Sequence, residues 1–321
     1  MSLPACTSPR GSSEPSPAPV ITSAGQAHFL AQNGKTWPEA ERRKPNQPRG
    51  LIWRADGVAK GVIVCLHGVQ THAAWFGPLA GELNKAGWTV IAPDRRGSGV
   101  NGPPIFTKGH TPGTEKLLCD LSTHLKDAQE EANGKPVLLL GTSWGSNWAG
   151  AYAAGGAQPQ PRGLIQLVPA TALRPAFQPG FFKKLLLGVA GTVLPRRGMP
   201  LPFGAEHYLA DQSVPGQESA NARLKKVLHD DQGNLLQKPT ARTLVTGNKL
   251  NARWKKGAAT LSAAMPVLII TADGDQLMDG AQAAASAPSA THRTLPAGHG
   301  AQITHAGEIA AIIAGWAASL K

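Results

Sequence analysis

The chain is poor in cysteine, in charge and in long apolar runs, and each shortage removes a class of protein. Cys6, Cys65 and Cys119 are too few and too scattered for a disulfide framework. No CxxC or Cys/His cluster offers the spacing of a metal site, so no metal is expected. Apolar runs such as Val137 to Leu140 and Val267 to Ile270 fall far short of the roughly 20 residues that cross a bilayer. Charged residues make up 16% and hydrophobic residues 41% of the 321, which is too apolar for general disorder and supplies a sizeable core. No internal repeat has the period of a solenoid or propeller. What the chain does have is a net charge of +12, of which residues 171–258 alone carry +9. Such an excess points to nucleic acid or anionic lipid. With no helix-turn-helix, zinc-finger, KH or RRM signature and the charge gathered in one internal stretch, no nucleic-acid partner is expected.

Residues 1–25 are Ser, Pro, Thr, Gly and Ala with almost no bulky apolar side chain, a composition that reads as a disordered tail. Met1-Ser2 cannot supply the basic and apolar regions of a secretory signal, which leaves a cytoplasmic or peripheral membrane location. Leu3-Pro4-Ala5-Cys6 nevertheless resembles the end of a bacterial lipoprotein signal; with a start upstream, Cys6 would carry a lipid anchor in the cell envelope.

From Gly50 onward strands and helices alternate. Leu51–Arg54, Gly61–Leu66, Trp88–Pro93, Pro136–Gly141, Gly163–Val168, Val267–Thr271 and His292–Leu295 read as strands. Helical spacing covers His72–Ala86, Gly113–Ala132, Trp144–Ala154, Ala281–Ala287 and Ile303–Leu320. Alternation of this kind implies an α/β fold with a mostly parallel, doubly wound sheet. The core is expected from residues 26–170 and 259–321. Between them, residues 171–258 hold seven Pro and nine Gly among short helical pieces and read as a helical cap inserted between two strands.

Gly141-Thr142-Ser143-Trp144-Gly145 stands between an apolar strand and a small-residue helix. A serine on so sharp a strand-to-helix turn needs small residues on both flanks, because the backbone is strained and packs closely. Ser143 is the expected nucleophile. At these residues the chain resembles the α/β-hydrolase family, over roughly Gly50 to the C-terminus. The resemblance implies a triad in the order Ser, acid, His. After the strand that follows the cap comes Asp273-Gly274-Asp275, and after the last strand Gly298-His299-Gly300. Asp275, the farther past its strand, is the expected acid with Asp273 as the alternative; His299 is the expected base; His292 and His305 are read as surface residues. His67-Gly68-Val69-Gln70-Thr71-His72 resembles the family's oxyanion loop, which implies the amides of Val69 and Trp144 as donors. Asp94-Arg95-Arg96-Gly97-Ser98-Gly99 resembles a turn whose role in the family is mainly structural, and Asp94 is not assigned to catalysis.

His67 to Phe76 followed by Asp94 to Gly99 is most similar to the monoacylglycerol lipase and lysophospholipase branch, whose usual HGxGEHxxRY is altered here at Gln70, Thr71 and Trp75. The expected activity is cofactor-free hydrolysis of a fatty acyl ester such as a monoacylglycerol or lysophospholipid. A short-chain esterase, a thioesterase and a prolyl-type aminopeptidase use the same triad. A non-catalytic, membrane-associated relative is the rival of another class. In the insertion, Leu185 to Leu194 lie between Lys183-Lys184 and Arg196-Arg197. That segment suits an anionic membrane surface, or else a cap helix burying its apolar face over the pocket with the basic residues merely solvated. Oligomeric state is not legible.

Overall fold

The computed structural model describes residues 34–38, 47–103, 105–178 and 180–320. The tail read over residues 1–25 and the anchor read at Cys6 lie outside the described residues. Among the described residues, eight strands form one open sheet: β1 (Lys35–Trp37), β2 (Gly50–Trp53), β3 (Gly61–Leu66), β4 (Trp88–Pro93), β5 (Val137–Thr142), β6 (Gly163–Leu167), β7 (Val267–Ala272) and β8 (Thr291–Leu295). Their order is β1-β2-β4-β3-β5-β6-β7-β8. From β4 to β8 all pairing is parallel, whereas β1 and β2 add an antiparallel edge. The mostly parallel α/β sheet expected from the alternation is therefore present. Its first strand is not legible in the sequence because three residues carry no readable period.

The central strands are buried at every position because helices cover both faces. On one face Val64, Leu139 and Ile269 pack against α2 (Thr114–Ala132), α3 (Trp144–Ala154) and α6 (Ala241–Ala264) through Leu121, Trp148 and Trp254. On the other, Ile63, Leu140 and Ile270 meet Leu83 of α1 (Gly77–Lys85) and Ile313 of α9 (Ala306–Ala318).

Three helices depart from the sequence expectation. The segment His72–Ala86 opens as a 3₁₀ turn over Ala73–Phe76, and α1 begins only at Gly77, where Pro78 needs no N–H partner. The tighter turn carries Trp75 out of the sheet core and into a third cluster with Tyr208, Leu224 and Val227 of the insertion. The last helix is broken at His305 into α8 (Ala301–Thr304) and α9. Where short helical pieces were expected, α6 runs 24 residues without a break at 258, capped by Thr240 accepting from the Thr243 N–H. It lies along α3 at close range: a Cβ at Gly150 would come within 2.7 Å of the Trp254 ring.

The other insertion helices are α4 (Phe181–Val193) and α5 (Glu218–Asp230); α7 (Gly280–Ala285) follows β7. α4 contacts α6 through Gly191 and turns its apolar side outward, with Phe182 77%, Leu186 67% and Val193 68% exposed. Six of the eight large hydrophobic side chains exposed among the described residues fall between Phe182 and Leu194, so the helix does not bury its apolar face over the site.

Trp254 is buried at the α3–α6 contact. Trp254→Ala is expected to cost about 3–5 kcal/mol in urea unfolding with an unchanged denaturant slope. A loss under about 1 kcal/mol would show that α6 contributes little to the core.

Candidate active site

The turn after β5 is built by backbone crowding. Ser143 has φ 53° and ψ −123°, outside the regions an L-residue favours. A Cβ at Gly141 would lie 2.5 Å from the Gly145 carbonyl oxygen, and one at Gly145 would run into the Leu66 carbonyl. Both glycines are thus required by close approach, in keeping with the small flanking residues such a turn needs. The Ser143 N–H donates to the Leu167 carbonyl at 3.0 Å, which ties the strained residue to β6.

The structure brings three of the expected residues into one hydrogen-bonded chain. Ser143 Oγ donates to His299 Nε2 at 2.8 Å, and His299 Nδ1 donates to Asp275 Oδ2 at 2.7 Å. The other carboxylate oxygen of Asp275 accepts the N–H groups of Leu277 and Met278 at 2.8 and 3.0 Å, which fixes its rotamer. Asp275 and His299 are buried at 2% and 3% exposure, whereas Asp273, the alternative acid, faces solvent. His292 and His305 are half-buried and lie outside this chain of hydrogen bonds.

The loop after β3 lies beside Ser143: a Cβ at Gly68 would be 3.4 Å from Ser143 Cβ and 3.7 Å from its Oγ. The N–H groups of Val69 and Trp144 have no acceptor among the described residues. Trp144 opens α3, where backbone N–H groups face outward and favour negative charge. The loop is anchored from beneath. Arg95 N–H donates to His67 Nε2 at 3.1 Å, so His67 Nδ1 carries the proton and donates to the Gly68 carbonyl at 2.8 Å. Burial, reinforced by the Arg95 charge, holds the His67 pKa well below the usual histidine range and keeps this tautomer neutral. Asp94 accepts from the N–H groups of Ala73 and Val100 and touches neither Ser143 nor His299, in line with a structural part. Thr71 Oγ1, buried and without a partner, is 3.4 Å from the same Gly68 Cβ position.

The segment between β6 and β7 holds the histidine and aspartate loops in place. The Tyr208 carbonyl accepts the Gly300 N–H at 3.0 Å, the Tyr208 ring stands 5.1 Å from the His299 ring, and Asp211 N–H donates to the Gly274 carbonyl at 2.9 Å. Arg174 Nε donates to the Asp275 carbonyl at 2.8 Å. Near α5, Asp231 accepts from His72 Nε2 at 2.8 Å and Trp75 Nε1 at 2.6 Å, and Asn234 Nδ2 donates to its other oxygen at 2.9 Å. Burial opposes the charged forms of this pair. The hydrogen bond and charge of each partner outweigh it, raising the His72 pKa and lowering that of Asp231. Tyr208, Arg174, Asp231 and Arg95 were not legible as site residues, because no local motif marks a contact made across 28 to 159 positions of chain.

Residues 57–301 match the family described as serine aminopeptidase, S33, and the chain belongs to that family. It is a serine hydrolase of the α/β-hydrolase fold. Among solved structures it is similar to a soluble variant of monoglyceride lipase from Saccharomyces cerevisiae in complex with a substrate analog, with 18% identity over 83% of this chain and 89% of that one and a TM-score of 0.69. It is also similar to the monoacylglycerol lipase of Paleococcus ferrophilus, at 19% identity, 84% and 98% coverage and a TM-score of 0.67. A thermostable carboxyl esterase from Bacillus coagulans matches at 16% identity, 89% and 98% coverage and a TM-score of 0.64. Likeness at these identities extends to the fold.

The His72–Asp231 pair has a pH signature. A raised histidine pKa contributes stability that is complete below its unfolded value, 6.5, and is lost as pH rises through the folded one. A lowered aspartate pKa contributes above its unfolded value, 3.8, and is lost as pH falls through the folded one. The stabilising window therefore lies between these two values. Asp231→Asn should cost about 3–5 kcal/mol inside the window and less at alkaline pH, read as thermal unfolding at pH about 5.5 and about 9. An equal gap at both would show that the pair does not depend on the histidine charge.

Proposed function

We propose that the protein hydrolyses fatty acyl esters of the monoacylglycerol or lysophospholipid kind by an acyl-enzyme mechanism at Ser143. The observation that carries this reading is His299, hydrogen-bonded at 2.8 Å to the Ser143 hydroxyl and at 2.7 Å to Asp275. A serine hydroxyl is a weak nucleophile until an imidazole takes its proton, and the imidazole needs a carboxylate to hold its tautomer and balance its charge. His299 Nε2 accepts the Ser143 proton as Oγ bonds to the ester carbonyl carbon. The carbonyl electron pair moves to oxygen, where the N–H groups of Val69 and Trp144 meet it. Collapse expels the alcohol, which takes the proton from His299. Water then gives a proton to His299 and attacks the acyl-enzyme; the fatty acid leaves and Oγ recovers its hydrogen. No step calls on a metal or organic cofactor.

The substrate class is supported by the monoglyceride and monoacylglycerol lipase folds and by the insertion. In this reading residues 171–258 are a cap over the site, and α4 is where the protein meets a membrane. No helix among the described residues is long and apolar enough to span one. α4 instead lays exposed Phe182, Leu185, Leu186, Val189 and Val193 along one side, near the exposed Arg196 and Arg197. An apolar stripe beside basic residues dips into the headgroup region of anionic lipid. A prolyl-type aminopeptidase is the second reading, favoured by the name of the matching family.

Purified protein offered monoacylglycerol, lysophospholipid, a short-chain p-nitrophenyl ester and a prolyl arylamide should prefer the fatty esters. Ser143→Ala should lower kcat by on the order of 10⁶-fold, and Asp275→Asn by on the order of 10⁴-fold, with folding intact. Retained turnover in Ser143→Ala would refute the mechanism, and activity confined to the arylamide would replace the ester reading. Leu185→Glu/Leu186→Glu should weaken sedimentation with phosphatidylglycerol vesicles at least about tenfold while sparing hydrolysis of the soluble short ester. Unchanged sedimentation would remove the membrane surface from the proposal.

A further inference from the structure

Arg95 is fully buried, yet among the described residues it has no carboxylate partner of the kind Arg96 has in Asp120. Its guanidinium donates instead to the Gly68 carbonyl at 3.3 Å, the Val69 carbonyl at 2.9 Å and the Ser98 hydroxyl at 2.8 Å, and Nε has no partner. The same group lies over the Trp144 ring, 4.9 Å from its centroid. On another side that indole is confined by α6, where a Cβ at Gly247 would run into Trp144 Nε1. Burial lowers the Arg95 pKa to about 10, which leaves it charged at neutral pH. A desolvated cation is costly, and here its contacts fall on Gly68 and Val69 of the loop beside Ser143, on Ser98 and on Trp144.

Peptide geometry gives those contacts a consequence. In a planar trans peptide the carbonyl and the N–H point in opposite directions. The carbonyl of Gly68 and the N–H of Val69 belong to one peptide unit, so holding that carbonyl from below aims that N–H upward. Two donors converge on the Gly68 oxygen, His67 Nδ1 at 2.8 Å and Arg95 Nη1 at 3.3 Å. A cation at a carbonyl oxygen also polarises its peptide and strengthens the N–H as a donor. The contact with Trp144 restrains the side chain of the residue that carries the second amide.

We infer that Arg95 is a positioning residue for the oxyanion hole, orienting the Val69 amide through the Gly68 carbonyl and restraining Trp144. The inference rests on the acyl-transfer reading above. It puts the cation behind the donors, where its charge also favours the developing oxyanion without touching substrate.

The test compares the full chain with Arg95→Met, which removes the charge, and Arg95→Lys, which keeps the charge but not the fork. An alkylboronic acid serves as mimic of the tetrahedral state, and a fluorophosphonate counts folded sites. Arg95→Met should lose about 10- to 100-fold in kcat with KM changed less than about threefold, and boronate affinity should fall by a similar factor. Arg95→Lys should fall between Arg95→Met and wild type. The shape of the pH–rate profile should stay in place in both. Were Arg95→Met not to fold, Arg95→Lys alone decides. Folded variants with undiminished kcat and boronate affinity would overturn the assignment, and so would failure of both to fold, which would make Arg95 a stability residue only. Absence of Ser143-dependent turnover in the wild type would instead refute the acyl-transfer reading, a separate outcome.

Discussion

The close approach of the turn at Gly141–Gly145 to the end of β3 is the constraint from which the site follows. Gly145 sits against the Leu66 carbonyl with no room for a side chain, which brings the loop that begins at His67 directly beside Ser143. The strain at Ser143 persists because the two flanking strands and α3 over-determine the turn. Serine, both unpaired amides and the helix N-terminus are therefore placed together by backbone packing alone. The glycines act here by what they leave out.

What surrounds that contact is a set of long-range anchors, most of them from the insertion. Residues 208–211 hold the loops of His299 and Asp275 through backbone hydrogen bonds, and Asp231 binds two side chains that follow β3, His72 and Trp75. A segment that reads as an appendage to the sheet thus packs into the site with a core of its own, formed by Tyr208, Leu224, Val227 and Trp75. The outer helix of the same segment exposes its apolar side. The segment between β6 and β7 thereby pairs an interior surface packed against the site with an exposed apolar one.

Buried charge recurs around the loop. Burial and the Arg95 charge hold His67 neutral while two hydrogen bonds of opposite sense fix its tautomer, Asp94 accepts backbone donors, and Arg95 directs its donors mainly to carbonyls. Each group is satisfied mainly by backbone rather than by an ion partner, which trades electrostatic gain for fixed loop geometry. Under the proposed acyl-transfer mechanism such fixity matters, since any reorientation of the donors during reaction would oppose their stabilising effect.

Much of this was legible in the chain itself. The apolar runs of β3, β5 and β7 and the helical spacing of α2 and α3 required a covered parallel sheet, because residues buried on both faces leave no other arrangement. Ser143, Asp275 and His299 were readable because each stands at the end of a strand, where local sequence marks the turn. The antiparallel β1, the continuous α6, the break at His305 and the route of Trp75 into the insertion were not, since each depends on a partner distant in sequence. The same holds for Arg95, which looks like one more basic residue in a turn. Local periodicity and turn chemistry determine elements and their ends; which side chains meet across those ends is decided only when the sheet closes the distance, because burial and hydrogen bonding are properties of neighbours in space.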